Sequence, residues 1–153
     1  MTGRSSRLSR KELYTGAMVL FIGLFYFLTI AVSIFQTDYS RFDRGEMKMF
    51  MLSIFYLVAG ILFLLRKNAG WIMSTAILFN FVFVMMVLII SLSQAGAFSV
   101  YALMAVFLFL LILLSFLFLF SKETRKKYMV NNKSYLITLL LAGLTAWANF
   151  VLK

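Results

Sequence analysis

The sequence contains no proline, no cysteine and no histidine. Without proline, no helix interior loses an amide donor or is forced to kink. Without cysteine there is no disulfide, no thiol nucleophile and no thiolate ligand for an iron–sulfur cluster, and the redox compartment leaves no trace. Without histidine, the commonest metal ligand and the usual neutral-pH proton shuttle are both missing. Acids are scarce, five against fifteen lysines and arginines. The eight glycines stand singly, so no glycine-rich loop can cradle a phosphate.

What the chain has in excess is apolar surface. Hydrophobic residues make up 63% of it and aromatics 18%, with a mean hydropathy of +0.98. Soluble domains use roughly 45–50% apolar residues, and a small one buries only about 60–70% of its unfolded surface. The 153 residues are therefore expected to form one domain, with lipid as its solvent.

The pattern is organised around a tight hairpin. Seventeen uncharged residues, Met49 to Leu65, are interrupted by Arg66-Lys67-Asn68-Ala69-Gly70, and twenty-two more follow from Trp71 to Leu92. Each run approaches the ~20 residues needed to cross a hydrocarbon core. The break suits a turn at a water–lipid boundary. The run from Gly60 to Trp71 resembles the central hairpin of many small polytopic membrane proteins, a class likeness that implies no activity.

Reading outward, residues 1–12 form a basic lead with Arg4, Arg7, Arg10 and Lys11, and Ser9-Arg10-Lys11-Glu12 reads as a capping box. The first span follows. Ala31-Val32-Ser33 resembles a signal cleavage site, but the apolar stretch from Ala17 to Phe35 exceeds an h-region of ~7–15 residues, so it reads as a retained anchor. The connection from Gln36 to Lys48 holds Asp38, Asp43 and Glu46, and Asp43-Arg44-Gly45-Glu46 is placed to cap the second helix. An uncharged connection, Ser93 to Ser99, leads to the most apolar helix, Val100 to Phe120, expected to face lipid or a hydrophobic partner. A basic run with Lys122, Arg125, Lys126 and Lys127 then precedes Ser134 to Leu152, which is long enough to cross at 1.5 Å per residue and carries no lysine stripe of an interfacial helix. The expected fold is an all-α, polytopic integral membrane helical bundle of four to five transmembrane helices with short loops. Its spans fall at about 13–35, 49–65, 71–92, 100–120 and 134–152.

The cations orient this threading. With the N-terminus inside, eleven lysines and arginines fall on the cytoplasmic side, and only Arg41, Arg44, Lys48 and Lys153 fall opposite. The net charge of +10 is thus a positive-inside signature rather than a nucleic-acid footprint. The expected setting is a bacterial inner (plasma) membrane. Trp71, Tyr14, Tyr101, Tyr128 and Tyr135 fall near span ends, where an aromatic belt belongs.

No charged side chain lies within these spans, although ion-coupled pumps, proton relays and voltage sensors need ionisable groups at membrane depth. Neither catalytic acid clusters nor metal-ligand spacings occur. An enzyme is not expected; one would have to build its site from Asp38, Asp43 and Glu46 at the outer face. No cofactor is expected, and the ten methionines read as adaptable packing rather than copper ligands.

The candidates that remain are uncharged polar residues within spans. Asn80 lies near the middle of the third span, where its amide needs a partner on another helix or in a cavity. Tyr26, Thr29, Ser33 and Gln36 share one face of the first helix by spacing, as do Ser53, Tyr56 and Gly60 on the second. On the last helix Ser134, Thr138, Ala142, Thr145 and Asn149 do the same. Such stripes serve close helix packing more often than a conduit. Lys122, Arg125, Lys126 and Lys127 are candidate contacts for anionic lipid headgroups. The function expected is that of an accessory or assembly subunit of a membrane complex, acting through helix–helix contacts. The alternative is a small oligomeric transporter, channel or lipid-binding protein whose conduit uses Asn80, Tyr26, Thr29, Ser33 and Tyr56. Partners are accordingly the bilayer, another membrane protein or a second copy, and anionic headgroups, with no nucleic acid.

Overall fold

A computed structural model describes residues 8–36, 44–94 and 100–151. The helices run α1 Arg10–Gln36, α2 Arg44–Leu64, α3 Asn68–Gln94, α4 Val100–Leu119, α5 Lys122–Lys127 and α6 Asn132–Val151. No strand occurs among the described residues. Four helices, α1 to α4, are long and apolar enough to cross a membrane, and the chain is an integral membrane protein. The short α5, in the basic run after α4, is the one helix that hydropathy does not foretell.

The capping box at α1 forms in both directions. Ser9 N–H donates to Glu12 Oε2 at 2.6 Å, and Glu12 N–H donates to Ser9 Oγ at 3.3 Å, so two amides that the helix cannot satisfy find partners. At the start of α2, Glu46 lies in the first turn, near the positive end of the helix dipole. Its Oε1 also accepts the Ser33 hydroxyl at 2.6 Å. Asp38 and Asp43 lie outside the described residues.

α1 to α4 close an antiparallel ring in which each helix packs on the next and α4 returns to α1. Glycines set the α1–α2 contact. A Cβ on Gly23 would stand 2.9 Å from Leu57 N, one on Gly60 would stand 2.6 Å from Leu20 Cγ, and one on Gly16 would overlap the Leu64 side chain. At Gly23 and Gly60 the close atoms include backbone nitrogens, so the missing side chain lets the two backbones approach, which substitutes for the hydrophobic drive that lipid removes. At the α2–α3 turn, a Cβ on Gly70 would collide with the backbone of Leu62 and Phe63.

Both turns at this end use the same helix-ending motif. Lys67 N–H donates to Leu62 O at 3.0 Å and Arg66 N–H to Phe63 O at 2.9 Å; Val130 N–H donates to Arg125 O at 3.0 Å and Met129 N–H to Lys126 O at 3.3 Å. The residue that must turn left-handed is not glycine in either case: Arg66 has φ 55° and Met129 φ 53°. The core follows from the ring: Val19, Ile22, Tyr56, Phe63, Trp71, Ile77, Leu78 and Ile112 are buried between the helices. α4 exposes Leu103, Met104, Phe107, Leu110 and Leu117 and buries Ile112, Ser115 and Leu119, so one face meets lipid and the other its neighbours.

α6 packs outside the ring, on α3. At the first residue of α3, Asn68 Nδ2 donates to Ser134 Oγ at 3.3 Å. Near the middle of α3, Asn80 Nδ2 donates to Ala142 O at 3.2 Å and to Thr145 Oγ1. Both helices advance in the same direction between these contacts, so α6 runs parallel to α3 and beside it.

Candidate functional site

The polar side chains of the spans do not meet in one place. Asn80 and Thr145 bond each other across the α3–α6 seam. Ser134, Thr138 and Ala142 lie buried in the same seam, with Thr138 donating to Ser134 O at 2.8 Å. Tyr26 and Tyr56 are elsewhere, between α1, α2 and α3, in an edge-to-face group with Phe81 whose ring centroids lie 5.5, 5.9 and 6.0 Å apart. Thr29 departs from its expected face. It is exposed, and its hydroxyl donates to Phe25 O of its own helix at 2.9 Å. The inward face of α1 runs through Glu12, Thr15, Val19, Ile22, Tyr26 and Ile30 at spacings of three and four, so Tyr26 lies on it while Thr29, one position before Ile30, does not. Ser33 engages Glu46 at the far end of α1. Ser53 is buried and donates to Phe50 O at 2.7 Å. The side chains of Gln36 and Asn149 lie outside the described residues.

The cavity between the far ends of α3 and α4, ≈ 550 Å³, is lined by Met85, Leu88, Val100, Leu103, Met104 and Phe107 with Ala105 and Leu108. Among the described residues, none that lines it offers a hydrogen-bonding side chain to a polar solute.

The densest chemistry is at the basic end of the bundle, where α1, α3 and α6 begin and α2 and α4 end. Glu12 is 1% exposed and holds two cations: Arg66 Nη2 at 3.1 Å and Lys127 Nζ at 3.5 Å. Arg66 Nε adds a second bond to Glu12 Oε1 at 3.2 Å, which makes the pair bidentate. One carboxylate thereby ties the start of α1 to the α2–α3 turn and to α5. Lys127 also pairs with Glu123 at 2.7 Å. That hydrogen bond raises the lysine above its ordinary pKa and lowers the carboxylate below its own.

Aromatic donors close the helix ends above this group. Trp71, fully buried, donates Nε1–H to Leu119 O at 3.1 Å, at the end of α4. Tyr128 donates to Phe63 O at 2.7 Å, at the end of α2, and its ring stacks on Phe63 at 4.6 Å. Burial pushes the Tyr128 hydroxyl pKa up, which keeps it a donor. These two residues therefore do not form a lipid-facing belt. They sit near helix ends as expected, but turn inward to donate to carbonyls in the last turns of α2 and α4. Tyr14 and Tyr135 are half-buried.

α5 divides the candidate headgroup contacts. Lys122, Arg125 and Lys126 line a cavity of ≈ 330 Å³ with Asn131, Asn132 and Tyr135, whereas Lys127 turns away to Glu12 and Glu123. In the sequence these four cations form one cluster; the helical spacing of three and four separates them onto two faces. Glu12 reads there only as a capping residue. Its position on the inward stripe of α1, among scarce acids, is the signal that marks it as more.

Comparison with protein-family models, with curated proteins and with solved structures finds no match.

Proposed function

We propose that this chain acts through helix–helix contacts, as an accessory or assembly subunit of a larger membrane complex. One observation carries the reading. The polar side chains that could have lined a conduit are divided between separate helix seams, where they bond to neighbouring helices or to their own backbone. A transporter of polar solutes needs such groups to converge on a shared space. The apolar character of the α3–α4 cavity supports the same reading.

The proposal includes a fifth span. A helix lying on the membrane surface would touch a spanning helix at one level only, whereas α6 bonds α3 at its first residue and again at Asn80. The amino end, the Arg66–Lys67 turn and α5 then lie on the cytoplasmic side of a bacterial inner membrane. The excess of cations there supports that orientation.

The test is gentle extraction of the chain from its native membrane, with crosslinking before solubilisation and quantitative mass spectrometry of what accompanies it. A membrane protein recovered in fixed stoichiometry is the expected result. The reading is overturned if the purified chain alone, in liposomes, carries ions or solutes and Asn80→Leu abolishes that transport while the protein remains folded.

A further inference from the structure

We propose that the cavity between α5 and α6 binds a phosphate-bearing anion. The proposal rests on observations separate from the helix-contact reading. Arg125 and Lys126 follow Lys122 by three and four residues, so all three meet the cavity from one side of α5, and no acidic side chain is among the lining residues. Glu123, on the same short helix, is held by Lys127 at 2.7 Å. The cavity therefore concentrates positive charge that no acid of its own wall neutralises.

Three details fit a phosphate rather than diffuse charge attraction. Arg125 donates Nη1–H to the Tyr135 hydroxyl at 3.1 Å, which fixes the plane of the guanidinium. Its Nε is buried and has no partner among the described residues, so the guanidinium carries a donor that no protein group satisfies. Asn131 and Asn132 bring the N-terminus of the twenty-residue α6 to the opposite wall. There the positive end of the helix dipole adds to the cations. The left-handed turn at Met129 ends α5 and leads into α6, and the concavity lies between the two.

The volume, ≈ 330 Å³, admits a phosphate with a small polar substituent. The wall includes Met129 and Val130 and stands beside the ring pair of Phe120 and Tyr135, where the apolar part of α4 ends. A phospholipid headgroup and a soluble phosphate present the same chemistry here.

The experiment uses the full chain in nanodiscs of phosphatidylcholine, with or without phosphatidylglycerol, and counts retained lipid by native mass spectrometry. A parallel titration adds inorganic phosphate to the phosphatidylcholine discs. Retention of phosphatidylglycerol over phosphatidylcholine assigns the anion to lipid, and binding of inorganic phosphate assigns it to a soluble source; either supports the site. Arg125→Gln should weaken binding about tenfold, the usual worth of one charge-assisted hydrogen bond. Lys67→Gln removes the same charge from the same end but outside the cavity, and should change it less than about twofold, as expected of a screened surface charge. Should Arg125→Gln fail to fold, the double variant Lys122→Gln/Lys126→Gln, both exposed residues, carries the same expectation. Equal losses for Lys67→Gln and the cavity variants would overturn the proposal, as would binding of neither anion.

Discussion

Arg66 and Glu12 are separated by 54 positions in the chain and by 3.1 Å in space. The arginine holds a backbone conformation that favours glycine, and the carboxylate it holds is buried at the head of α1. The pair explains why a non-glycine residue occupies that turn. A left-handed arginine costs about 1 kcal/mol or somewhat more, while removing one partner of a buried ion pair costs roughly 3–5 kcal/mol.

Arg66→Ala should accordingly lower stability by about 3 kcal/mol, the low end of that range, because Lys127 remains near Glu12. The double variant Glu12→Gln/Arg66→Gly should recover most of the loss. Glutamine still completes a capping box and glycine relaxes the turn. Thermal unfolding in a fixed detergent measures both; a double variant no more stable than Arg66→Ala would contradict the assignment.

Two glycines give opposite expectations for one substitution. Gly70→Ala places a methyl against the backbone of Leu62 and Phe63, which cannot rotate away, and should cost about 1–3 kcal/mol or more. At Gly143 an added methyl would meet nothing within 4 Å, and Gly143→Ala should raise stability by about 0.5–1 kcal/mol through helix propensity. Melting temperatures of the two variants, compared in one detergent, check the sign of each.

The hydroxyl of Thr15 is buried with no hydrogen-bond partner among the described residues. Thr15→Val keeps the shape and removes the unsatisfied group, so it should stabilise by about 1 kcal/mol. A destabilised Thr15→Val would show that the hydroxyl is satisfied in the membrane-embedded protein.

Asn80→Leu should insert normally and cost about 0.6–2 kcal/mol, the usual range for a hydrogen bond between membrane helices. Its effect should fall on α6, which loses contacts to Ala142 and Thr145. Cysteines placed across the α3–α6 seam should crosslink less efficiently in Asn80→Leu than in its parent; unchanged crosslinking would contradict this role.

Much of the architecture is legible in the sequence because hydrocarbon imposes length and polarity so strictly. The hairpin at Arg66–Lys67 and the inward stripe at Ser53, Tyr56 and Gly60 follow from that constraint, and the capping box at Ser9 and Glu12 follows from the amides that any helix start leaves unpaired. The site is less legible, for two physical reasons. Hydropathy does not distinguish an aromatic residue facing lipid from one bonding a helix end, so Trp71 and Tyr128 pass for belt residues. A cation count treats every lysine alike, whereas α5 aims Lys126 at a cavity and Lys127 at Glu12. Thr29 shows a third limit: a hydroxyl that can bond its own helix carries no information about which way the helix faces.

The central claim is that one charged end gathers the start of α1, the α2–α3 turn and α5, and the proposal adds that α6 leaves this end across the membrane beside α3. The chain has no cysteine of its own, so single cysteines at Lys67, Lys122 and Lys153 can be labelled with a membrane-impermeant maleimide in intact and in opened cells. The account predicts that the cysteines at Lys67 and Lys122 react only after opening and that the one at Lys153 reacts in intact cells. Labelling of the Lys67 and Lys122 positions from opposite sides, or of all three from one side, would contradict it.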